Sequence, residues 1–273
     1  MAVSIADITK LRKMTGAGMI DCKNALAEAE GNFETAIELI RKRGQAIAAK
    51  REDRDASEGC VLAAAKDDFA ALVALKCETD FVATNKDFIA LTQSILDAAM
   101  QSRPASLDEL KKISIDGRTI AELVTDRSGI TGEKMELGEY MFLSAPSTIS
   151  YIHPGNRLAT IVGFNKEAEY QVARDVAMQV AAMNPIAVKR DEFPAELVAK
   201  ELEIAKDKAR EEGKPEAMLD KIAQGRINKF YQENSLLEQA FVKENKMSIK
   251  QYLESKDKEL TAVSFKRYTL NAE

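Results

Sequence analysis

Two stretches of this chain repeat one order of elements, and that order constrains the fold more than any other feature. CVLAAAK (60–66) and FAALVALKC (69–77) are apolar runs of strand length separated only by Asp67–Asp68, a spacing that predicts a β-hairpin. A helical pattern follows, with Phe88, Ile89, Ile95 and Leu96 on one side. Around Gly138 the order recurs: EYMFLSA (139–145), a break at His153–Asn156, RLATIVGF (157–164), then KEAEYQVARDVAMQVAAM (166–183) as a helix. Hairpin then helix, twice over, predicts an α+β fold whose core holds two similar subdomains with antiparallel sheets.

The flanking segments read differently. In 4–43 the apolar residues fall at helical spacing in three groups: Ile5, Ile8 and Leu11, then Cys22, Ala25, Leu26 and Ala29, then Phe33, Ala36, Ile37 and Ile40. Gly16–Gly18 and Gly31–Asn32 supply the breaks. Three short helices make a marginal core, so this module is expected to be tethered to something larger. Periodicity is lost after Ala49, and QAIAAKREDRDASEG (45–59) reads as a linker. Beyond Pro185–Pro194, PAELVAKELEIAKDKAREE (194–212) and EAMLDKIAQGRINKFYQ (216–232) are charged helices joined by GKP (213–215), and so short a turn forces them antiparallel. Leu197, Leu202, Ala205, Met218 and Ile222 supply a stripe narrow enough for a two-helix seam. The chain returns through SLLEQAFV (235–242), a short helix at MSIKQYL (247–253) and LTAVSFKRY (260–268), expected as the third strand of the second sheet. The expected division is a helical module over 1–50, a linker over 51–58, one core subdomain over 59–137, a second over 138–185 and 235–273, and a helical hairpin inserted at 186–234.

Composition removes several functions. Lys and Arg total 39 against 44 Asp and Glu, a net charge of -5, which argues against nucleic acid as the partner because its recognition normally needs a basic surface. Lys206, Lys208 and Arg210 alternate with acids and read as a solvated face. Cys22, Cys60 and Cys77 are odd in number and widely spaced, suggesting neither disulfides nor a zinc site. The first residues, MAVSIADITKLRKM, place Asp7 where a signal peptide would be apolar, and no apolar run approaches membrane-spanning length, so the expected location is the cytoplasm, with no membrane contact. With a single histidine, His153, and no GxSxG, HExxH or Walker sequence, the usual catalytic constellations are missing and an enzyme is not expected. TGAGMIDCK (15–23) fails as a dinucleotide loop because a helix precedes it and Asp21 replaces the third glycine. GKP lacks the Ser or Thr of a phosphate loop. Neither a cofactor nor direct nucleotide binding is expected.

CETDFVA (77–83) is the unusual motif, since an apolar run gives way at once to a carboxylate and a phenyl ring, Asp80 and Phe81. One reading puts Asp80 in the first turn of a helix capped by Thr79 and uses Phe81 to plug the sheet. The other exposes the pair to a partner. Met19 and Ile20 raise the same choice beside the TGAG turn: one of them is needed inside, or both form an apolar contact.

LRKMTGAGMIDCKNAL (11–26), CETDFVA (77–83), QGRINKF (224–230) and SLLEQAFV (235–242) stand in the order and spacing of the bacterial elongation factor Ts family, and the resemblance covers roughly 3–268. It implies a ubiquitin-associated-like three-helix module, a two-part α+β core and a protruding helical hairpin. It also implies a guanine-nucleotide exchange factor that binds elongation factor Tu in its GDP form, displaces magnesium and lets GDP leave so that GTP can bind. The family's TDFV element, which presses on the GTPase, falls on Thr79, Asp80, Phe81 and Val82; its N-terminal contact surface falls on Leu11, Arg12, Met19 and Ile20, and its second-subdomain histidine on His153. Gln179 stands where many relatives have histidine, and the sequence ends soon after FKRY without the extra C-terminal helix of some relatives. The alternative from another class is a ribosome- or RNA-associated factor that probes with its helical hairpin.

Overall fold

The computed structural model describes residues 3–271. Three helices open the chain: α1 (Ile5–Thr15), α2 (Met19–Glu28) and α3 (Phe33–Lys50). Ser4 and Asn32 cap α1 and α3 by accepting from the backbone N–H groups of Asp7 and Thr35. Gly16 ends α1 in the left-handed region at φ 71°, which a side chain would strain. Ile8, Leu11, Cys22, Ala25, Leu26 and Ala36 close a small core of their own.

The next elements are β1 (Glu58–Lys66), β2 (Phe69–Cys77), the single-turn α4 (Asp80–Ala83), α5 (Lys86–Ser102), α6 (Leu107–Lys112), a two-residue pair β3 (Ser114–Ile115) and β4 (Arg118–Thr119), α7 (Ile120–Thr131) and β5 (Met135–Ser144). The first sheet has the order β1-β2-β5, antiparallel throughout. After it come β6 (Ser147–Ile152), β7 (Leu158–Phe164), α8 (Tyr170–Met183), α9 (Ala195–Glu211), α10 (Glu216–Asn234), β8 (Ala240–Phe241), β9 (Glu244–Ser248), α11 (Ile249–Lys256) and β10 (Ala262–Thr269). The second sheet has the order β10-β7-β6. LTAVSFKRY does form its third strand, paired antiparallel to β7. The α+β class with antiparallel sheets is observed.

Side-chain alternation explains the layering. Cys60 and Leu62 of β1, with Ala71, Val73, Leu75 and Cys77 of β2, face Phe88, Ile95, Leu96 and Ala99 of α5 and Ile120 and Val124 of α7. The alternate residues Val61, Ala63, Ala70, Leu72 and Ala74 meet Ala159 and Ile161 of β7. Val162 and Phe164 look the other way, toward Val172, Val176 and Val180 of α8 and Ile249 and Leu253 of α11. The two sheets therefore stack face to face, with helices outside each. β2 and β7 lie between two apolar layers, which is why both read as continuous hydrophobic runs.

Three expectations need correction. EYMFLSA does not begin the second hairpin: it lies in β5, which pairs with β2 and completes the first sheet, so a division at 137/138 falls inside a strand. The partner of β7 is β6, STISYI, whose residues are all half-buried at a sheet edge and carry too many hydroxyls to stand out as an apolar run. The N-terminal helices are not merely tethered. α3 crosses α7 so closely that a Cβ added at Gly129 would run into the Gly44 backbone, a packing that needs glycine at 129, whereas a Cβ at Gly44 would come tight against the Gly129 Cα at 3.3 Å.

α9 and α10 pack along each other, with Ala205, Ala209, Leu219, Ala223 and Ile227 in the seam. Met218, expected there, faces solvent, and Leu219 takes its place one residue on. Among the described residues four cations of this pair are matched by acids, Lys206 with Asp220, Arg210 with Asp207 and Glu216, Arg226 with Glu212, and Lys229 with Glu233, whereas Lys200, Lys208 and Lys221 make no ion pair. No helix among the described residues is long and apolar enough to cross a membrane.

Candidate functional site

β2 and β5 run together as far as the pair Cys77–Met135 and then part. Beyond that point the ladder can no longer satisfy the backbone N–H groups, and two carboxylates take over. Glu133 accepts from the backbone N–H groups of Glu78 and Thr79, at 3.2 and 3.1 Å, and from the Thr79 hydroxyl at 2.6 Å. Glu78 reaches back to accept from the Lys134 backbone N–H at 2.6 Å, and also receives Arg51 at 3.3 Å and Arg54 at 3.2 Å. The Lys134 N–H above all, with Arg54 and Arg51 adding, holds the Glu78 carboxyl below its ordinary range. Glu133 is itself fixed, because the buried Ser128 hydroxyl donates to its carbonyl oxygen at 2.5 Å.

α4 stands on this base. Thr79 caps it, its hydroxyl oxygen accepting from the Val82 N–H at 3.4 Å, while Val82 and Ala83 pack on the core of the first sheet. Asp80 and Phe81 point away from it. The Phe81 ring is 84% exposed and Asp80 is exposed as well. Among the described residues no hydrogen bond or ion pair engages the Asp80 carboxylate. The expected cap at Thr79 is present, but Phe81 plugs nothing: Phe88, one turn along the next helix, is the buried ring here. Cys77 completes the base, its thiol donating to the Thr79 carbonyl oxygen at 3.2 Å and pushed up to about 12 by burial, with the charge of Glu133 adding.

The other expected residues lie apart from this turn. Met19 and Ile20 are both exposed, at 42% and 74%, because Ala17 and Cys22 take the interior positions of the α1–α2 turn, so neither is drawn inside. Arg12 is exposed on α1. Leu11 belongs to the core of the N-terminal helices and is fully buried, which removes it as a contact residue: its place in the helical pattern puts it opposite the exposed face. His153 is exposed at the turn between β6 and β7, its Nδ1 3.1 Å from the Tyr151 hydroxyl. Gln179 is buried on α8 and fully engaged. Its side chain donates to Gln239 and to the Ala240 carbonyl oxygen, and accepts from the Val242 N–H.

None of these residues lines the main cleft of the described residues. That cleft, of about 470 Å³, lies between the α1–α2 turn, α3, α5 and α7, walled by Ile37, Ile40, Ile47, Leu91, Leu123 and Ile130. The site is thus a projecting ring on a braced turn. Among the described residues no three His, Cys, Asp or Glu side chains are placed to hold a metal ion.

The family model described as Elongation factor TS matches residues 78–272, beginning at Glu78. The chain belongs to the elongation factor Ts family. Proteins named elongation factor Ts are similar over its full length and their own: one from Porphyromonas gingivalis is 61% identical, one from Azobacteroides pseudotrichonymphae 55%, and one from Bacteroides fragilis 44%. Glu78 and Glu133 were missed from the sequence. Glu78 sits inside the CETDFVA motif, but Glu133 lies 54 residues beyond Thr79 and carried no local signal.

Proposed function

We propose that this chain is the guanine-nucleotide exchange factor of elongation factor Tu, a translation elongation factor that makes and breaks no covalent bond. It binds the GDP-bound GTPase, displaces magnesium and promotes GDP release so that GTP can enter. The exposed Phe81 on its braced turn carries the reading. A nucleotide held with magnesium leaves slowly, and an exchange factor speeds its loss only by binding the nucleotide-free or distorted GTPase better than the loaded one. A rigid ring entering between two elements of the partner does this, because it fits only when the loops that hold the ion have moved. Asp80 adds a negative charge and acceptor oxygens beside the ring. Thr79 fixes the start of the turn and Val82 anchors it.

Met19, Ile20 and Arg12 supply a second contact on the N-terminal helices, and His153 a third on the second sheet's turn. Functionally, 1–50 acts as one module joined through 51–58 to the two-sheet core, with 186–234 inserted as a helical hairpin. The work is done in the cytoplasm, where the GTPase meets the ribosome, with no nucleotide bound by this chain. Nucleic acid is not needed, a view supported by the net charge of -5 and by the acids that pair Lys206, Arg210 and Arg226 on α9 and α10. The test is release of fluorescently labelled GDP from elongation factor Tu. The chain should accelerate release, and excess Mg·GDP should drive the complex apart, since linkage is reciprocal. Unchanged release, or a complex indifferent to Mg·GDP, would refute the function.

A further inference from the structure

The geometry points to Glu133, with Glu78, as the positioning residue of exchange: the two carboxylates hold the Phe81 turn in its working orientation before any partner arrives. This rests on the reading of Phe81 as the element that enters the GTPase. A helix of four residues has no stability of its own, and α4 has one side in contact with the core and one in water. What fixes its direction is the start of the turn. There Glu133 holds two successive backbone N–H groups and the capping hydroxyl of Thr79. Without it the N–H groups of Glu78 and Thr79 would turn to water, and the start of the turn would be free to swing about its Val82 and Ala83 contact with the core. An exposed ring on a swinging turn must be ordered on binding, which weakens association and slows the step it drives.

Glu78 and its neighbour across the pair, Lys134, also tie in a third segment. Arg51 and Arg54, immediately after α3, bond Glu78, and the Lys134 ammonium donates to the Glu52 carbonyl oxygen at 2.8 Å. The chain leaving the N-terminal helices is therefore bonded to the base of the Phe81 turn. One cluster sets both the direction of the ring and the exit of the segment that carries Met19 and Ile20.

The experiment measures catalysed GDP release by the full chain and by Glu133→Ala, Glu133→Gln, Phe81→Ala and the double variant Phe81→Ala/Glu133→Ala, each normalised to its folded fraction from a thermal melt. If the freed turn holds the working orientation about a tenth of the time, Glu133→Ala slows release about tenfold. Glu133→Gln keeps a carbonyl oxygen for the two backbone N–H groups and stays within about threefold of the wild type. In the Phe81→Ala background the same Glu133→Ala change costs less than about twofold, since no ring remains to be positioned. Equal losses in both backgrounds, or no loss from Glu133→Ala in the wild type, would overturn the positioning role while leaving Phe81 in place. Release by Phe81→Ala as fast as the wild type would instead remove the reading on which it rests. Should Glu133→Ala fail to fold, Glu133→Asp, too short to span both N–H groups and the hydroxyl, takes its place with the same coupled loss expected. Coupling absent there would overturn the inference equally.

Discussion

Replacing Phe81 with alanine separates the two things a phenylalanine can do. The ring is 84% exposed in the free chain, so its loss removes little buried surface, and the folding cost should be that of a surface substitution, roughly 0.5 kcal/mol or less. For a protein of this size that lowers the melting temperature by no more than about 2 °C. If the ring enters the partner as proposed, it is buried there, and burying a phenyl group is worth about 1.5–3 kcal/mol. Each 1.4 kcal/mol is about tenfold in a rate or equilibrium constant, so Phe81→Ala should slow catalysed GDP release on the order of 10- to 100-fold. Asp80→Ala should cost less, because water can replace part of an exposed carboxylate's role. Phe88 supplies the internal control. It is 1% exposed against the first sheet, and its truncation should cost about 3–5 kcal/mol of stability while leaving exchange per folded molecule nearly intact. The assay is stopped-flow release of labelled GDP over a range of exchange-factor concentrations, beside melts of both variants. If Phe81→Ala melts like Phe88→Ala and exchanges normally once folded, the projecting ring has no part in exchange and the mechanism is wrong.

Deleting 1–50 should leave a cooperatively folding core, because the main cluster of the first sheet draws no residue from that segment; partner affinity should fall more than the melting temperature, and a core that melts without cooperativity would show that α3 on α7 is part of it. Excising 196–227 and closing the gap with a short loop should also preserve the fold, since the seam of α9 and α10 is satisfied within the pair while Phe193, Phe230 and Tyr231 remain packed edge to face at its base; a molten product by circular dichroism would refute this. Asp175→Asn tests the buried carboxylate of α8. Burial raises its pKa, but Lys243, Tyr252 and Gln171 more than offset that and hold it below the ordinary aspartate value. A carboxyl whose native pKa is depressed stabilises above its unfolded pKa, near 4, and loses that contribution as pH falls through the native value. Urea titrations should therefore find the wild type more stable than Asp175→Asn by on the order of 1.5–3 kcal/mol at pH 7, with the gap closing below about pH 4; a gap that persists in acid would mean that packing, not charge, is lost.

What could be read in the sequence was whatever local periodicity determines. The helices of the N-terminal segment, the β1–β2 hairpin and the paired helices about Gly213 each announce themselves within twenty residues or so of their own pattern, because burial of one face is a local property. Pairing across distance is not. EYMFLSA alternates as well on one sheet as on the other, and only its register against β2, from Phe69–Ser144 to Cys77–Met135, places it in the first. STISYI was invisible for a related reason: an edge strand half-buried on both faces has no need of an apolar run. The glycine crossing of α3 and α7 could not be inferred from either glycine alone, since Gly44 and Gly129 are separated by the whole of the first hairpin and its helices.

The candidate site divides along the same line. Thr79 as a cap is a local inference and is seen, whereas the choice between a buried and an exposed Phe81 depended on which ring would fill the first sheet, and Phe88 had already filled it. Leu11 and Met19 show the limit from the other side. A motif shared with a family transfers as a stretch of residues, but a helix in that stretch has an inner face and an outer one. Leu11 is inner and Met19 outer, so only part of the motif can touch a partner while the rest holds that part in place. Glu133 extends the argument beyond the motif: what makes a bare phenyl ring useful is the rigidity of the turn beneath it, and that rigidity comes from a carboxylate on another strand's approach.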